Sequence, residues 1–155
     1  MEEILSRFPR LGQNIFNQIN DHSLVASRRV SKVWNTFLIS DKHFWIRIIK
    51  SYQRNQVGFE KQWKSMLQKI PLETSRVMAI AIQKFYRMHN RLERKHSPLH
   101  VAAANGNFLL FKYVSERIEE VNPKQSNGFT ALHLAAQEGH LQICEYMISN
   151  IQGYS

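Results

Sequence analysis

The sequence predicts an all-α protein with three parts in succession: a three-helix module over residues 1–40, a helical bridge over 41–95, and a helix-turn-helix solenoid over 96–155. Three observations lead to this prediction. Apolar residues recur three and four positions apart through most of the chain. A block that begins at Ser97 is repeated from Thr130 onward. Proline or glycine marks the ends of several of the predicted helices.

The N-terminal module is predicted from three short apolar runs with helix-capping residues between them. The runs contain Leu11, Ile15, Phe16 and Ile19, then Leu24, Val25 and Val30, then Val33, Trp34, Phe37 and Leu38. Asn20, Asp21 and Ser23 separate the first two runs, and Ser31 precedes the third. Three helices this short cannot bury so much apolar surface among themselves, so either a partner protein or the following helices must cover it.

The bridge contains three longer helical runs. Their apolar residues are Phe44, Trp45, Ile48, Ile49 and Tyr52, then Trp63, Met66, Leu67 and Ile70, then Val77, Ile80, Ala81, Phe85 and Tyr86. Pro71 is expected to end the second run, and the third begins near Leu72. We expect the aromatic residues in the core. The bridge would then hold the two flanking parts in a fixed orientation and cover the first repeat.

Two repeats follow, over residues 96–128 and 129–155. Residues 97–103 (SPLHVAA) recur as residues 130–136 (TALHLAA), and Gly106 then matches Gly139 at the same displacement. Ser or Thr caps a first helix, and Pro98 stands where a helix loses no hydrogen bond. Each glycine ends that helix in a left-handed conformation. A second, apolar helix is expected over 109–118 and over 141–151.

The segment between the repeats, residues 122–128 (NPKQSNG), contains an Asn-Gly pair. Asn-Gly is the strongest short signal for a hairpin turn, because both residues tolerate a positive φ. The sequence therefore predicts a two-stranded β-hairpin finger.

This pattern resembles the ankyrin repeat, whose signature reads T-P-L-H-x-A-A-x-x-G-H and whose period is about 33 residues. Ser97 replaces Thr and Asn107 replaces the last His in the first copy, and Ala131 replaces Pro in the second. The resemblance implies a protein-binding module that contacts its target through the finger tip and the inner face of the first helices. The implied target-binding residues are Asn122, Lys124, Asn127 and Phe129 on the finger, and Ala104, Asn105, Gln137 and Glu138 on the inner helices.

Residues 15–35 are similar to the F-box pattern I-F-x-x-L-d-x-x-s-L-x-x-x-r-x-V-S-k-x-W-n. Phe8-Pro9 resembles the Leu-Pro pair that opens many F-boxes, although it lies one residue nearer to Ile15 than usual. The resemblance implies docking onto the Skp-type adaptor of a cullin-RING ubiquitin ligase. The implied adaptor contacts are Phe8, Pro9, Ile15, Phe16, Ile19, Leu24, Val30 and Trp34.

Composition narrows the function further. The lone Cys144 cannot form an intramolecular disulfide and the N-terminus does not resemble a secretion signal, so we expect a cytoplasmic or nuclear protein. No apolar run reaches the length that spans a bilayer. The net charge of +9 fits an acidic partner, whereas no nucleic-acid reader motif is present. The basic stretch 87–95 is either a solvated face or a patch for an acidic target.

No Gly-rich phosphate loop, nucleophile signature or metal quartet is present, so no enzyme activity and no cofactor is predicted. His100 and His133 are expected to bond the backbone around the turns. His96 and His100 form a His-x3-His pair that no Cys or carboxylate completes into a zinc site. Cys144 is expected in the core.

The sequence therefore predicts a non-catalytic substrate receptor of an SCF-type ubiquitin ligase, in which the N-terminal helices hold the adaptor and the repeats hold the target. Two other hypotheses stay open. One is a scaffold or regulator in which the N-terminal helices only cap the repeats, and the other is a nucleic-acid binder.

Overall fold

The structure, a computed structural model, describes residues 32, 36, 40–52, 58–89, 96–120, 122–125 and 127–150, with only the backbone of 88 and 89. Lys32 and Thr36 are helical. Apart from these two residues and Ser40, the predicted three-helix module lies outside the described residues. So do all eight predicted adaptor contacts, namely Phe8, Pro9, Ile15, Phe16, Ile19, Leu24, Val30 and Trp34.

From residue 41 to 150 the described part of the chain forms seven helices, in agreement with the predicted all-α class. They are α1 (Lys42–Ser51), α2 (Glu60–Leu67), α3 (Leu72–His89), α4 (Pro98–Asn105), α5 (Phe108–Ser115), α6 (Ala131–Gln137) and α7 (Leu141–Asn150). One buried apolar cluster runs through all seven helices. The bridge and the repeats therefore share a continuous core.

The bridge helices form where the apolar spacing predicts them. Asp41 caps α1 by accepting a hydrogen bond of 2.9 Å from the His43 N–H, and α1 packs along α3. The aromatic residues Phe44, Trp45, Trp63 and Phe85 are buried, as predicted. Tyr52 and Tyr86 are half-buried, and their rings stack at 5.0 Å.

Two details of the bridge differ from the prediction. Ile80 belongs to the predicted apolar run, yet its side chain is 46% exposed because it lies on the face of α3 turned away from α1 and α4. Helix α2 ends at Leu67, before Pro71, and Lys69 adopts a left-handed φ of 52° in the turn that follows. Ile70 is nevertheless buried from that turn.

The two repeats form the helix pairs α4–α5 and α6–α7, and the first helices α4 and α6 pack against each other. Helix α5 ends at Ser115, although the predicted helix runs to 118, and Ile118 is still buried. The predicted end of the last helix at 151 lies just outside the described residues. Bridge helix α3 packs on α4, so the bridge covers the first repeat as expected.

Candidate protein-binding surface

Each first helix of the repeats begins with a histidine capping box. In the first repeat the Ser97 N–H donates to Nδ1 of His100 at 3.2 Å, and the His100 N–H donates back to Ser97 Oγ at 3.4 Å. Thr130 and His133 form the same arrangement, with the Thr130 N–H 3.2 Å from His133 Nδ1. The prediction that both histidines bond the backbone at these turns is confirmed, because each Nδ1 accepts a hydrogen bond from the N–H of the capping residue.

His100 also joins the two repeats. Its Nδ1 accepts a hydrogen bond, so the neutral ring carries its proton on Nε2, which donates to the Phe129 carbonyl at 3.2 Å. The imidazole is fully buried, and this burial lowers its pKa from 6.5 to about 4 despite the raising effect of carbonyl partners at Phe129 and Pro123. His100 is therefore neutral at pH 7 and fixes the base of the finger.

His140 makes a second link between the repeats. Its Nε2 donates to the Ala104 carbonyl at 3.0 Å, at the end of α4. The ring lies directly over Gly106, where an added Cβ would overlap the imidazole. Gly106 is thus required for its left-handed φ of 76° and for the space it leaves.

The finger is simpler than the predicted two-stranded hairpin. Among the described residues it consists of one antiparallel bridge, between Lys124 and Thr130. The Gln125 N–H donates to the Phe129 carbonyl at 2.8 Å, and the Gly128 N–H donates to the Gln125 carbonyl at 2.8 Å. Gly128 has the positive φ expected of the Asn-Gly turn. The strands are too short to extend the ladder because helix α6 begins directly after Thr130.

The predicted target-binding residues fall into two groups. Lys124, Asn127 and Gln137 are exposed, and Asn122, Asn105 and Glu138 are partly exposed along the finger and the ends of α4 and α6. The other two serve the fold as well. The Ala104 carbonyl accepts from His140, and the Phe129 ring stacks on His133 at 5.3 Å while its carbonyl serves His100.

The exposed residues among the predicted target-binding set differ in whether their side chains already make a local hydrogen bond. Asn127 Oδ1 accepts a hydrogen bond of 3.1 Å from the Phe129 N–H, which orders its own turn. Lys124 and Gln137 are exposed, and no hydrogen bond to another described residue engages either side chain. We therefore take these two side chains as the predicted site residues that are best placed to meet a target.

His96 anchors the bridge to the repeats, a role that the sequence did not reveal. Its carbonyl accepts a hydrogen bond of 2.9 Å from Trp63 Nε1 in α2, and Gln125 Nε2 of the finger lies 2.6 Å from its Nδ1. The ring packs edge-on against Phe85 of α3 at 4.5 Å. All of these partners are distant in sequence, so no local signal identifies this junction.

Helix α2 is also tied to the segment after α5. Lys61 Nζ lies 2.7 Å from Glu119 Oε2, and Gln62 Nε2 donates to Glu120 Oε2 at 3.0 Å. The Lys61–Glu119 pair is largely exposed, so solvent screens it, whereas Gln62 is nearly buried. The finger therefore emerges from a loop that the bridge holds at its base.

Cys144 is half-buried on α7 and packs against the edge of the core, whereas the prediction places it inside the core. Burial raises the pKa of its thiol, so the side chain behaves as a small apolar group at neutral pH.

Among the helices that the structure describes, none combines the length and the apolar character that a bilayer crossing requires.

Comparison with known proteins places these features in context. Residues 74–154 match the family described as Ankyrin repeats (3 copies), which is more than half of the 155-residue chain. No F-box family match is found. Human ankyrin repeat domain-containing protein 39 is 33% identical over 49 residues, which make up 32% of this chain and 27% of that protein. No solved structure matches the chain.

The family match begins inside α3, upstream of the two repeats seen in the sequence. Ser97 and Thr130 are 33 positions apart, and the same displacement relates four residues of α3 to four apolar residues in and after α5. All eight residues are buried or half-buried. The pairs are Val77 and Leu110, Met78 and Phe111, Ala81 and Val114, and Phe85 and Ile118. Helix α3 thus carries the apolar pattern of a second repeat helix. Stacked repeats of this kind present an extended surface for protein binding. The chain belongs to the ankyrin-repeat family.

Proposed function

We propose that this protein is a non-catalytic receptor that holds a target protein through its ankyrin repeats and joins it to an SCF-type ubiquitin ligase through its N-terminal residues. The supporting observation is the order of parts in one chain. An F-box-like pattern over residues 15–35 is followed by a bridge whose core is continuous with the repeats. We place this activity in the cytoplasm or nucleus, where such ligases act.

The continuous core supports this proposal physically. A receptor of this kind acts by proximity, because it raises the effective concentration of target lysines near the ligase. A flexible linker would spread the target over a wide volume. The buried contacts of α3 with α1 and α4 restrict that volume, and the His96 junction with Trp63 and Gln125 stiffens the same joint.

Binding to a purified Skp-type adaptor tests the ligase half of the proposal. We expect a stable complex that Trp34→Ala and Leu24→Asp both weaken. Each contact implied by the F-box resemblance would contribute on the order of 1–3 kcal/mol to the binding free energy. The control is Leu109→Asp, because Leu109 is 78% exposed on a helix far along the chain from the F-box-like residues. Absence of binding, or equal binding by all variants, would refute this half.

Affinity purification from cells tests the target half. We expect specific proteins to co-purify with the wild type and to be lost from the double variant Lys124→Glu, Gln137→Arg, because both side chains are exposed on the finger and inner-helix surface. The matched control carries the same charge changes on exposed residues of the bridge, Lys64→Glu and Gln68→Arg. Loss in the control, or retention in both variants, would contradict binding at this surface.

A second candidate is an ankyrin scaffold unrelated to ubiquitin. The observation in its favour is that the family match covers residues 74–154 and stops short of the F-box-like segment. The two experiments separate the candidates, because a scaffold would keep its finger-dependent partners and would not bind the adaptor.

A further inference from the structure

The second repeat exposes a surface that the first repeat buries. At the displacement that relates Ser97 to Thr130, several positions of the first repeat correspond to positions of the second that are more exposed. The pairs are Leu99 and Leu132, His100 and His133, Ala103 and Ala136, Phe108 and Leu141, and Phe111 and Cys144. We call the second member of each pair, taken together, the open face.

Positions that pack inside each repeat do not show this difference. Val101 and Leu134 are both fully buried, as are Val114 and Met147. The open face behaves differently, since Ala103 is fully buried whereas its counterpart Ala136 is exposed. The second repeat is therefore folded and packed like the first and lacks only what the first receives from its neighbour, namely the covering by α6 and α7.

His133 shows what kind of group is missing. Its Nδ1 is held by the Thr130 cap in the same way as His100 Nδ1 is held by Ser97. The ring therefore presents Nε2 in the corresponding direction. In the first repeat that atom reaches the Phe129 carbonyl of the next repeat, whereas the described residues offer His133 Nε2 no hydrogen-bond partner.

The apolar residues of the open face also lack a covering group that their counterparts in the first repeat have. Phe108 and Phe111 receive the ring of Tyr146 from the second repeat, at 5.4 and 6.2 Å between centroids. Their counterparts are Leu141, which is 68% exposed, and Cys144. Small Ala136 leaves room for a helix to approach closely. Residues 127–150 contain no Lys or Arg, although the chain has a net charge of +9, and their charged side chains are Glu138 and Glu145. Neither carboxylate belongs to the residues that define the open face.

We propose that the open face docks an ankyrin-type repeat of a partner protein, which stacks on α6 and α7 as these helices stack on α4 and α5. The partner supplies a main-chain carbonyl to His133 Nε2, a first helix with small residues opposite Ala136, and an aromatic side chain over Leu141. A second copy of this chain lacks such a free surface on its first repeat, because α3 already packs against α4.

The probe is a consensus ankyrin array from which the N-terminal capping repeat has been removed, titrated into the full chain by calorimetry. The same array with its cap is the control probe. We expect the uncapped array to bind and the capped array not to bind. In nuclear magnetic resonance spectra the amide signals of residues 132–141 should shift with the uncapped array alone.

Two charge insertions locate the contact. Ala136→Arg should weaken binding by about tenfold or more, because a buried, unpaired charge opposes docking. Gln142→Arg should leave it unchanged, because the corresponding Leu109 stays exposed even though the second repeat stacks on the first. Leu141→Lys provides a second blocking variant if Ala136→Arg lowers the melting temperature.

Equal binding of both arrays, or unchanged binding by both blocking variants, would overturn the proposal. So would self-association of the full chain in analytical ultracentrifugation that Ala136→Arg abolishes, because the occupant would then be a second copy. A monomeric chain that binds the uncapped array through Ala136 and Leu141 would support it.

Discussion

His100 and His133 have the same kind of sequence neighbours and the same cap, yet one imidazole is fully buried and the other is exposed. The cap is local, since it uses only residues three positions apart. Burial is not local, because it requires the next repeat to cover the ring. The chemistry of a repeat residue therefore depends on its place in the stack.

The burial of His100 should make folding sensitive to mild acid. Because the folded-state pKa is about 4 and the ordinary value is 6.5, the unfolded chain binds this proton more readily. The free energy of unfolding should fall as pH decreases through this window, by about 2 kcal/mol between pH 7 and 5 from this group. Denaturant unfolding of the wild type and His100→Gln at both pH values measures it.

His100→Gln should be less stable than the wild type at pH 7. Between pH 7 and 5 its free energy of unfolding should fall by about 2 kcal/mol less than that of the wild type, because the variant lacks the His100 proton. The difference between the two proteins isolates the contribution of His100, because both contain the same other histidines. Identical pH dependence in the two proteins would mean that His100 is not the group responsible.

Gly106 and Gly139 provide a matched pair for a second prediction. Both have a left-handed φ, 76° and 75°, but a Cβ added at Gly106 overlaps the His140 ring, whereas one added at Gly139 meets no neighbouring atom of the described residues within 4 Å. Gly139→Ala should cost about 1 kcal/mol from backbone conformation alone. Gly106→Ala should cost about 2–3 kcal/mol, because His140 also loses its bond to Ala104.

Thermal or denaturant unfolding of both variants provides the measurement. In a His140→Ala background the excess cost at Gly106 should disappear, since the ring that causes the overlap is gone. Equal costs at the two glycines in the wild-type background would show that the His140 ring moves away freely.

At the scale of elements, α2 is the helix whose role is least apparent from its own sequence. Its amphipathic pattern predicts the buried Trp63 and Met66, and both are buried. The pattern does not predict that Trp63 Nε1 bonds the His96 carbonyl or that Gln62 reaches Glu120. These bonds connect α2 to both ends of the first repeat and thereby hold the loop that leads into the finger.

Trp63→Phe tests this connection, because it keeps an aromatic ring in the core and removes the indole N–H. We expect a loss of about 1–2 kcal/mol in the free energy of unfolding, since the buried hydrogen bond to His96 is no longer made. Lys61→Ala is the control, and its effect should be close to zero because the pair with Glu119 is largely exposed. Hydrogen exchange should be faster around His96 in Trp63→Phe alone.

The elements themselves could be predicted well from sequence. The helix starts at Leu72 and Pro98 follow from Pro71 and the Ser97 cap, and the apolar spacing around Phe44 predicts α1. The finger was predicted less well, because an Asn-Gly turn specifies a reversal of the chain but not how many residues pair beside it. Thr130 is needed as the cap of α6, which limits the pairing to the bridge with Lys124.

At the scale of the whole molecule, one buried cluster runs from α1 to α7, so the bridge and the repeats should unfold together. A fragment of residues 41–155 should fold with a single cooperative transition. A fragment of residues 96–155 should not fold, because it exposes the apolar side of α4 that α3 covers, and two repeats alone bury too little surface.

Circular dichroism and calorimetry on the two fragments provide the comparison. A cooperative melting transition in the 96–155 fragment would show that the repeats are independent of the bridge. Two separate transitions in the 41–155 fragment would show the same for the bridge helices.

The sequence by itself determined the helices and their caps, because each of these depends on residues within one or two turns of one another. It also determined membership of the ankyrin-repeat family, because the repeat period and its signature can be read by comparing the chain with itself. Tertiary structure decided which faces are covered. His96 forms a junction between the bridge and the repeats, Ile80 is exposed, and Cys144 is only half-buried, because burial depends on neighbours that are brought together only by the stacking of distant helices.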